Sequence, residues 1–349
     1  MNISELKTIA GNLMAGDKGL LAMDESTATC NKRFEELGIP QTEEYRRKYR
    51  ELIVTTPRLE ECINGAILFD ETIRQTTADG VRFIDILKEK GIIPGIKVDE
   101  GTIPMAGFPG EKLTEGLDGL SKRLAEYYKM GARFAKWCAV FTIGANTPSS
   151  TCIKANAYLL ARYAALCQEA GLVPIVEPEV IMDGDHSLEL CGEVTTEVLH
   201  AVFNALYQHK VDLGGMILKP NMILPGTQNS YQSNTEEIAT ATVNCFMRCV
   251  PASVPGVAFL SGGQPGVLAS ERLNMMHKKF DEAMPWALTF SFSRAIQQPA
   301  LEYWRGKDEN IEVAQQMLFH RAACNKAARR GDYTVEMEKA SEKEWAHFD

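Results

Sequence analysis

The feature that most constrains the fold is a short apolar run that recurs eight times along the chain. Most of these runs end in a polar or charged residue. They are continuous rather than alternating, which is typical of parallel strands covered on both faces. The runs are Gly19–Asp24, Gly65–Asp70, Ile93–Asp99, Arg133–Val140, Val173–Glu179, Gly215–Asn221, Val257–Gly263 and Trp286–Arg294.

Most segments between the runs carry the period of an amphipathic helix, with recognisable start and stop signals. Asn234 followed by Glu237 has the spacing of a capping box. Thr147 and Pro148 suit the N-cap and first position of another helix. The predicted helices run from about Leu117 to Gly131, from Thr147 to Gly171 and from Asn234 to Cys249.

Eight strands alternating with helices over 349 residues predict a closed, parallel (β/α)₈ TIM barrel. We expect a single domain, with the barrel at about residues 15–330 and a mobile tail at residues 331–349. A helix before Gly19 would cap the barrel bottom. An open doubly wound sheet is the alternative, but it usually carries a glycine-rich fingerprint after its first strand. Here the first run is followed by Glu25, Ser26 and Thr27.

Charge and cysteine usage exclude several classes of protein. A formal net charge of −9 argues against general binding to nucleic acid or to an anionic membrane. The nine cysteines are odd in number and form no Cys-x-x-Cys pair, which favours reduced thiols. No apolar run approaches the roughly 18 residues of a membrane span, and no secretory signal is recognisable. We therefore expect a soluble, cytoplasmic protein.

Charged residues stand at the predicted strand ends, where barrels of this kind carry their active sites. Lys219 is notable because it ends the aliphatic stretch of the run Gly215–Asn221. Burial disfavours an ammonium, and a neutral amine is a nucleophile for carbonyl carbon. Each residue alone also has a structural reading as a cap or an ion pair, but their joint placement favours a site. The set is Asp24, Lys97, Lys136, Glu177, Glu179, Lys219 and Arg294.

Two groups of residues predict anion sites at opposite rims of the barrel mouth. Loops after the last two strands often bind phosphate, since glycines expose backbone N–H groups and Arg supplies forked donors. The first group is Ser261, Gly262, Gly263, Ser291 and Arg294. The second group is Ser26, Thr29, Lys32, Arg33 and Lys97. Two anion sites flanking a nucleophilic lysine suggest a substrate with a phosphate at each end.

Metal chemistry is not expected from the histidines. None of the six lies at a strand end, and no two are spaced i, i+4. A catalytic zinc site normally has two or three such ligands. No Gly-x-Ser-x-Gly elbow or P-loop is present, which removes the usual signals of acyl transfer and nucleotide hydrolysis. The sequence therefore predicts an enzyme without a metal or cofactor.

The sequence resembles class I fructose-1,6-bisphosphate aldolase from about Ser4 to Arg330. The matching motifs are LAMDES, GIKVDEG, FAKW, VPIVEPE, DGDH, LKPN, LSGGQ and PWALTFSFSRA. The resemblance implies that Lys219 forms a Schiff base with a ketose and that Glu177 is the general acid/base. It also implies that Asp24 and Lys136 position the hydroxyl that loses its proton, and that Glu179 orients the lysines.

The resemblance further implies how the substrate is held and used. The phosphates would contact the two predicted anion sites, the second with Arg46 added. The products would be dihydroxyacetone phosphate and glyceraldehyde 3-phosphate, in glycolysis, gluconeogenesis or the Calvin cycle. The protein would be a homotetramer. LAMDES followed by ATC, and TTPRLEECINGAILFDET, lean toward the plastid and cyanobacterial branch, so a plastid stroma is the alternative location.

Three positions depart from the family pattern. Cys138 stands where the family more often has arginine, so one anion contact is lost. Ser293 replaces a frequent glycine beside Arg294, which tightens the phosphate loop. The end of the chain, residues 345–349, has no terminal tyrosine to exchange the enamine proton, and His347 is a weak substitute.

Two other functions are compatible with the sequence. One is a different lysine-dependent barrel, such as a transaldolase acting on a monophosphate, although two anion sites argue against it. The other is a barrel kept as a scaffold or binding partner. A scaffold has no use for a buried cluster of lysines and carboxylates, so Lys219, Glu177 and Lys136 argue against that reading.

Overall fold

The computed structural model describes residues 2–339 and contains a closed barrel of eight parallel strands. All strands, numbered along the chain, are β1 Gly19–Ala22, β2 Ile63–Leu68, β3 Ile93–Lys97, β4 Thr102–Pro104, β5 Lys112–Thr114, β6 Phe134–Phe141, β7 Val173–Val180, β8 Ile217–Leu218, β9 Gly256–Phe259 and β10 Ala287–Phe292. The barrel order is β1-β2-β3-β6-β7-β8-β9-β10, and β4 and β5 form a separate antiparallel hairpin.

Helices surround the barrel and connect its strands. The α-helices are α1 Ile3–Leu13, α2 Thr27–Glu36, α3 Glu43–Thr55, α4 Asp70–Ile73, α5 Phe83–Glu89, α6 Leu120–Met130, α7 Ser150–Glu169, α8 Leu188–Gln208, α9 Thr235–Cys249, α10 Gly266–Phe280, α11 Arg294–Trp304 and α12 Ile311–Arg329. Short 3₁₀ helices lie at Leu59–Glu61, Leu213–Gly215, Asp281–Ala283 and Asp308–Asn310. Among residues 2–339, none of the helices is both long and apolar enough to cross a membrane.

The predicted barrel is confirmed, because each of the eight apolar runs overlaps one barrel strand. The sheet closes where β1 pairs with β10, with Leu20 opposite Ser291. That pairing excludes the open doubly wound alternative. The β4–β5 hairpin was not predicted, since the three residues of β4 are all exposed and no apolar run marks them.

The two-residue period of the strands divides the barrel interior into an apolar bottom and a charged top. On β6, Phe134 lies in a small apolar cluster, and Lys136 follows on the same face. On β7, Ile175 belongs to that cluster and Glu177 and Glu179 continue the same alternation. A one-residue slip of either strand would turn these charges into the helix layer.

Helix α1 closes the bottom of the barrel, as predicted. Leu6, Ala10 and Leu13 form its buried face and share the small cluster with residues from the strand interiors. A second, larger cluster fills the space between the strands and the outer helices. The barrel interior is therefore a packed core below the site rather than a pore.

Two predicted helix starts need correction. Helix α7 begins after Ser149 rather than at Thr147, because the Ser149 hydroxyl accepts the Cys152 N–H at 3.1 Å and so caps the helix. Helix α6 begins at Leu120, after Gly119 in a left-handed conformation. The capping box of α9 is present as predicted, with Asn234 and Glu237 exchanging hydrogen bonds of 2.9 Å.

The chain after α12 stays packed on the barrel up to Lys339. Tyr333 is buried, and its backbone N–H donates to Asn274 Oδ1 at 2.9 Å. Glu338 pairs with Arg321 on α12. Residues 331–339, which the sequence assigned to a mobile tail, are thus part of the packed body. The rest of that predicted tail, including His347, lies outside the described residues.

Candidate active site

A polar pocket of about 1360 Å³ opens at the carboxyl ends of the barrel strands. All the predicted site residues except Arg46 line it. They come from β3, β6, β7 and β10, from the loops after β1, β8 and β9, and from the helices α2 and α11, so segments far apart in sequence converge on one mouth. This is the position at which barrels of this fold carry out their chemistry.

Four buried charges form a continuous chain across the floor of the pocket. Lys219 Nζ lies 3.0 Å from Glu177 Oε1, and Glu177 Oε2 lies 3.2 Å from Lys136 Nζ. Lys136 Nζ also lies 2.7 Å from Asp24 Oδ2. Each of the four residues is less than a tenth exposed. Glu177 therefore contacts the side-chain nitrogens of both lysines.

Electrostatics fix the charge state of half of this chain. Burial alone would lower the pKa of Lys136, but the carboxylates of Asp24 and Glu177 outweigh it and hold the pKa well above its usual value. Burial would likewise raise the pKa of Asp24, but Lys136 and Lys219 outweigh it and lower the pKa. At neutral pH, Lys136 is an ammonium and Asp24 a carboxylate.

Glu179 and Cys138 are hydrogen-bonded neighbours that line the pocket, and both are partly exposed. Burial and the nearby Glu177 carboxylate raise the pKa of Glu179. The Cys138 thiol donates to Glu179 Oε2 at 3.5 Å, and burial together with Glu177 and Glu179 raises the pKa of the thiol well above its usual value. Cys138 is thus a neutral hydrogen-bond donor, and it brings no positive charge to the site.

The first predicted anion site offers hydrogen-bond donors that have no partner among the described residues. Gly262 and Gly263 adopt left-handed conformations, with φ of 60° and 94°, so their backbone can turn toward the pocket without a Cβ penalty. Ser291 Oγ is buried and has no hydrogen-bond partner within residues 2–339. Arg294 is exposed and forms no ion pair with the described residues. A buried hydroxyl and an exposed guanidinium that line the same pocket suit an oxyanion.

The second predicted anion site is more heavily engaged. Ser26 caps α2, accepting the Thr29 N–H at 3.3 Å. Lys97 is bound by Asp99, donating to its carbonyl at 2.7 Å and to its carboxylate. Lys32 is exposed at the pocket wall. An incoming phosphate would meet Ser26, Thr29 and Lys32 directly and would compete with Asp99 for Lys97.

Arg46 and Arg33 are held by other side chains. Arg46, on helix α3, does not line the pocket. Its Nε and Nη2 atoms donate to the Glu71 carboxylate at 2.8 and 2.6 Å. Arg33 lines the pocket but pairs with Glu25 at 2.6 Å. We therefore remove Arg46 from the predicted substrate contacts and retain Arg33 as a source of positive potential.

Glu25, which connects the two rims, was not among the predicted site residues. Its carboxylate is buried, pairs with Arg33 and with Arg50 at 2.8 Å, and accepts the Ser293 hydroxyl at 2.7 Å. Burial would raise the pKa of Glu25, but the two arginines outweigh it and lower the pKa. A signal was present, since Glu25 directly follows Asp24. Asp99, which ends a predicted run, was passed over in the same way.

A (β/α)₈ barrel with a buried lysine at a strand end, a carboxylate in contact with its amine, and an anion cradle on the rim belongs to the class of lysine-dependent carbonyl enzymes. A family model described as glycolytic fructose-bisphosphate aldolase class-I matches residues 5–349. The chain belongs to the class I fructose-bisphosphate aldolase family.

Similar proteins support this membership along nearly the whole chain. A probable fructose-bisphosphate aldolase class 1 of Xanthomonas campestris pv. campestris is 54% identical over 95% of this chain and 99% of its own length. A cytosolic fructose-bisphosphate aldolase of Arabidopsis thaliana is 50% identical over 94% of this chain and 84% of its own. Fructose-bisphosphate aldolase from Plasmodium falciparum, solved in complex with TRAP and a small-molecule inhibitor, superposes with a TM-score of 0.93 at 46% identity, covering 95% of each chain.

Proposed function

We propose that the pocket cleaves fructose 1,6-bisphosphate reversibly through a Schiff base on Lys219. The observation that carries this is the contact chain Lys219–Glu177–Lys136, which places a proton acceptor 3.0 Å from the nucleophilic nitrogen in a buried site. The chain is a fructose-bisphosphate aldolase, a carbon–carbon lyase, and the residue roles below are our assignment.

The reaction uses the amine as an electron sink. The Lys219 amine adds to the ketone carbon to give a carbinolamine, which loses water to form an iminium ion. A base removes the proton of the hydroxyl on C4, and the C3–C4 bond breaks with its electron pair entering the iminium. Glyceraldehyde 3-phosphate leaves, and the resulting enamine takes up a proton. Hydrolysis then returns the amine and releases dihydroxyacetone phosphate.

We assign the proton transfers to Glu177, which touches both lysines. Lys136 remains an ammonium and donates to the reacting oxygen, while Asp24 holds that ammonium in place. Glu179, with a raised pKa and a hydrogen bond from Cys138, orients the lysine side of the pocket. The family's usual donor to the enamine is a terminal tyrosine, and the corresponding end of this chain lies outside the described residues.

The two anion sites hold the two ends of the substrate. We assign one phosphate to Ser261, Gly262, Gly263, Ser291 and Arg294. We assign the other to Ser26, Thr29, Lys32 and Lys97, with Arg33 adding positive potential. Because all the proposed steps use side chains and water, we propose that neither a metal nor an organic cofactor takes part.

The wider setting is also a proposal. The cytosolic plant relatives support a cytoplasmic location and a role in glycolysis and gluconeogenesis. The sequence motifs alone support the plastid or cyanobacterial branch, with a Calvin-cycle role in a plastid stroma. Membership of the class I aldolase family supports association into a homotetramer. Light scattering from the eluting protein would give four times the mass of the chain if this is right.

Borohydride trapping tests the function. Reduction in the presence of fructose 1,6-bisphosphate should fix a covalent adduct on Lys219, located by peptide mass mapping, and Lys219→Ala should abolish it. An adduct on another lysine, or activity lost on adding a chelator, would contradict the assignment. Preferential trapping with a monophosphorylated ketose would favour a transaldolase. The ratio of kcat/KM for sedoheptulose 1,7-bisphosphate and fructose 1,6-bisphosphate would define the substrate range.

A further inference from the structure

A second group of chemically reactive side chains lies outside the active site, where the last described residues pack on α12. His320 and Cys324 are spaced i, i+4 and therefore share one face of this helix. Glu338, in the segment after the helix, approaches them from the side. His320 Nε2 lies 3.4 Å from Cys324 Sγ and 3.6 Å from Glu338 Oε2. The proposed aldolase reaction uses none of the three.

We propose that His320, Cys324 and Glu338 form a binding site for a divalent ion of the zinc type, which fastens the segment Tyr333–Lys339 to α12. The three ligand atoms all lie within 4.8 Å of one another. In a tetrahedral zinc site with ordinary bond lengths, neighbouring N, S and O ligands are about 3.4–3.6 Å apart. The two distances that involve His320 already match those edges, so little rearrangement is needed.

The way the three atoms converge favours an ion over a hydrogen-bonded cluster alone. Sulfur and oxygen both approach the same imidazole nitrogen, which carries at most one proton. Imidazole, thiolate and carboxylate together are a typical zinc ligand set. On binding, the ion would displace the Cys324 thiol proton to solvent and occupy the Nε2 lone pair. The side chains of His320 and Glu338 are 20% and 16% exposed, so water can reach the fourth position.

Neighbouring groups fix the carboxylate in the orientation that an ion needs. Tyr333 donates its hydroxyl to Glu338 Oε1 at 2.8 Å, and Arg321 pairs with the same oxygen. Oε2 is thereby turned toward His320. Such outer hydrogen bonds commonly orient metal-ligating carboxylates. Counting a divalent ion, the Cys324 thiolate, Glu338 and Arg321, the net charge of the site is about +1, which a partly exposed position tolerates.

A rival group of possible ligands, Cys138, Glu177 and Glu179, lies in the active site. There Lys219 Nζ and the Lys136 ammonium lie 3.0 and 3.2 Å from Glu177. The buried Lys136 ammonium opposes the entry of a metal cation at this distance. At the Cys324 site the neighbouring arginine, Arg321, is already neutralised by the carboxylate of Glu338.

Titration of the reduced, full-length protein with Co²⁺ tests the site, because thiolate–Co²⁺ coordination gives a charge-transfer band that a thiol does not. We expect the band to saturate at one ion per chain and to disappear when Zn²⁺ is added. Cys324→Ala and His320→Ala should lose it. Cys138→Ala, which removes the rival thiol, and Cys167→Ala, which removes a buried thiol of α7, should keep it.

Absence of the band in excess Co²⁺ would overturn the proposal, as would a band that survives Cys324→Ala or is lost in Cys138→Ala. A measurement on the unmutated chain guards against variants that fail to fold. Zn²⁺ should slow amide hydrogen exchange in residues 335–339 and leave exchange in α7 unchanged. Equal exchange with Zn²⁺ and with chelator would also refute the site. None of these readouts depends on aldolase activity.

Discussion

At the scale of single residues, Lys136 determines how the site behaves, since its ammonium is shared by Asp24 and Glu177. The sequence correctly grouped Lys136 with the other strand-end charges. In the structure the carboxylates dominate the pKa of Lys136 and keep it cationic. Which cation pairs with which carboxylate depends on three-dimensional distances that no spacing in the chain encodes.

Replacing Lys136 with methionine should lower kcat/KM by about 100-fold or more, the usual contribution of a group that assists proton transfer. The acid limb of the pH profile should also move to higher pH. Lys136 helps to lower the pKa of Asp24, so that pKa rises when the ammonium is removed. Steady-state rates between pH 5 and 8 would measure both effects.

Lys48→Met is a suitable control, because it removes an exposed ion pair with Asp308 at 3.0 Å and should change neither quantity. An unshifted acid limb in Lys136→Met would show that Asp24 does not depend on Lys136. A loss smaller than about tenfold would remove Lys136 from the proton-transfer machinery.

At the scale of elements, the positions of the barrel strands were far more predictable than the contacts between elements. A buried parallel strand records its burial directly in a continuous apolar run, so all eight were recognisable. The β4 strand carries no such run because its residues face solvent. Arg46 was misplaced for a related reason. Its residue type suits phosphate, but its position on α3 places the guanidinium against Glu71. Burial patterns are encoded locally, whereas ion-pair partners are set by how elements pack.

Gly95 on β3 is an element-scale test of how tightly the barrel interior is filled. A Cβ at this position would lie 2.2 Å from ring atoms of Phe134, a fully buried residue of β6. Gly95→Ala should therefore cost about 1–3 kcal/mol of stability through overpacking. Gly11→Ala on α1 is the matched control, because its Cβ meets nothing within 4 Å. It should stabilise the helix by about 0.5–1 kcal/mol.

Thermal unfolding of the two variants beside the parent protein would measure this contrast. Equal midpoints for Gly95→Ala and the parent would mean that Phe134 moves aside without cost. A destabilised Gly11→Ala would indicate that α1 is not helical at that position.

The contact between the C-terminal segment and α12 should depend on pH through Glu338. Burial would raise the pKa of Glu338. A hydrogen bond from His320 and the positive charge of Arg321 outweigh burial and lower the pKa to about 2. Since the pKa in the folded protein lies below the ordinary value of 4.5, this carboxylate stabilises the fold above about pH 4.5, and the contribution fades as pH falls toward 2. Its size at neutral pH is of the order of 3 kcal/mol.

Chelator-treated parent and Glu338→Gln proteins should therefore differ most in unfolding free energy at pH 5–7. They should converge as pH falls from about 4.5 toward 2, because Glu338 becomes neutral in the folded protein, as glutamine is, only near pH 2. Denaturant titrations over this range would measure the difference. A gap that stays constant down to pH 3 would mean that packing, rather than ionisation, holds the segment.

At the scale of the whole molecule, the barrel separates stability from chemistry along its axis. Apolar residues of α1 and the lower strand positions fill the bottom, whereas the charged chain occupies the mouth. The energetic consequences are opposite. Removing apolar volume from the bottom costs packing, while removing a buried lysine side chain from the mouth removes the cost of burying its polar nitrogen. The packed bottom of the barrel thus supplies folding stability that offsets the cost of burying charged groups at the mouth.

Leu13→Ala and Lys219→Met should therefore have opposite effects. Leu13 is fully buried at the barrel bottom, so its truncation should cost about 2–5 kcal/mol while kcat/KM stays unchanged well below the unfolding midpoint. Lys219→Met should abolish turnover yet unfold at the same temperature or higher, because Lys136 still neutralises Glu177 at 3.2 Å. Calorimetry and rates on both variants measure the pair. Lost activity in folded Leu13→Ala would show that the bottom cluster also shapes the mouth, and early unfolding of Lys219→Met would show that the charged chain itself holds the barrel closed.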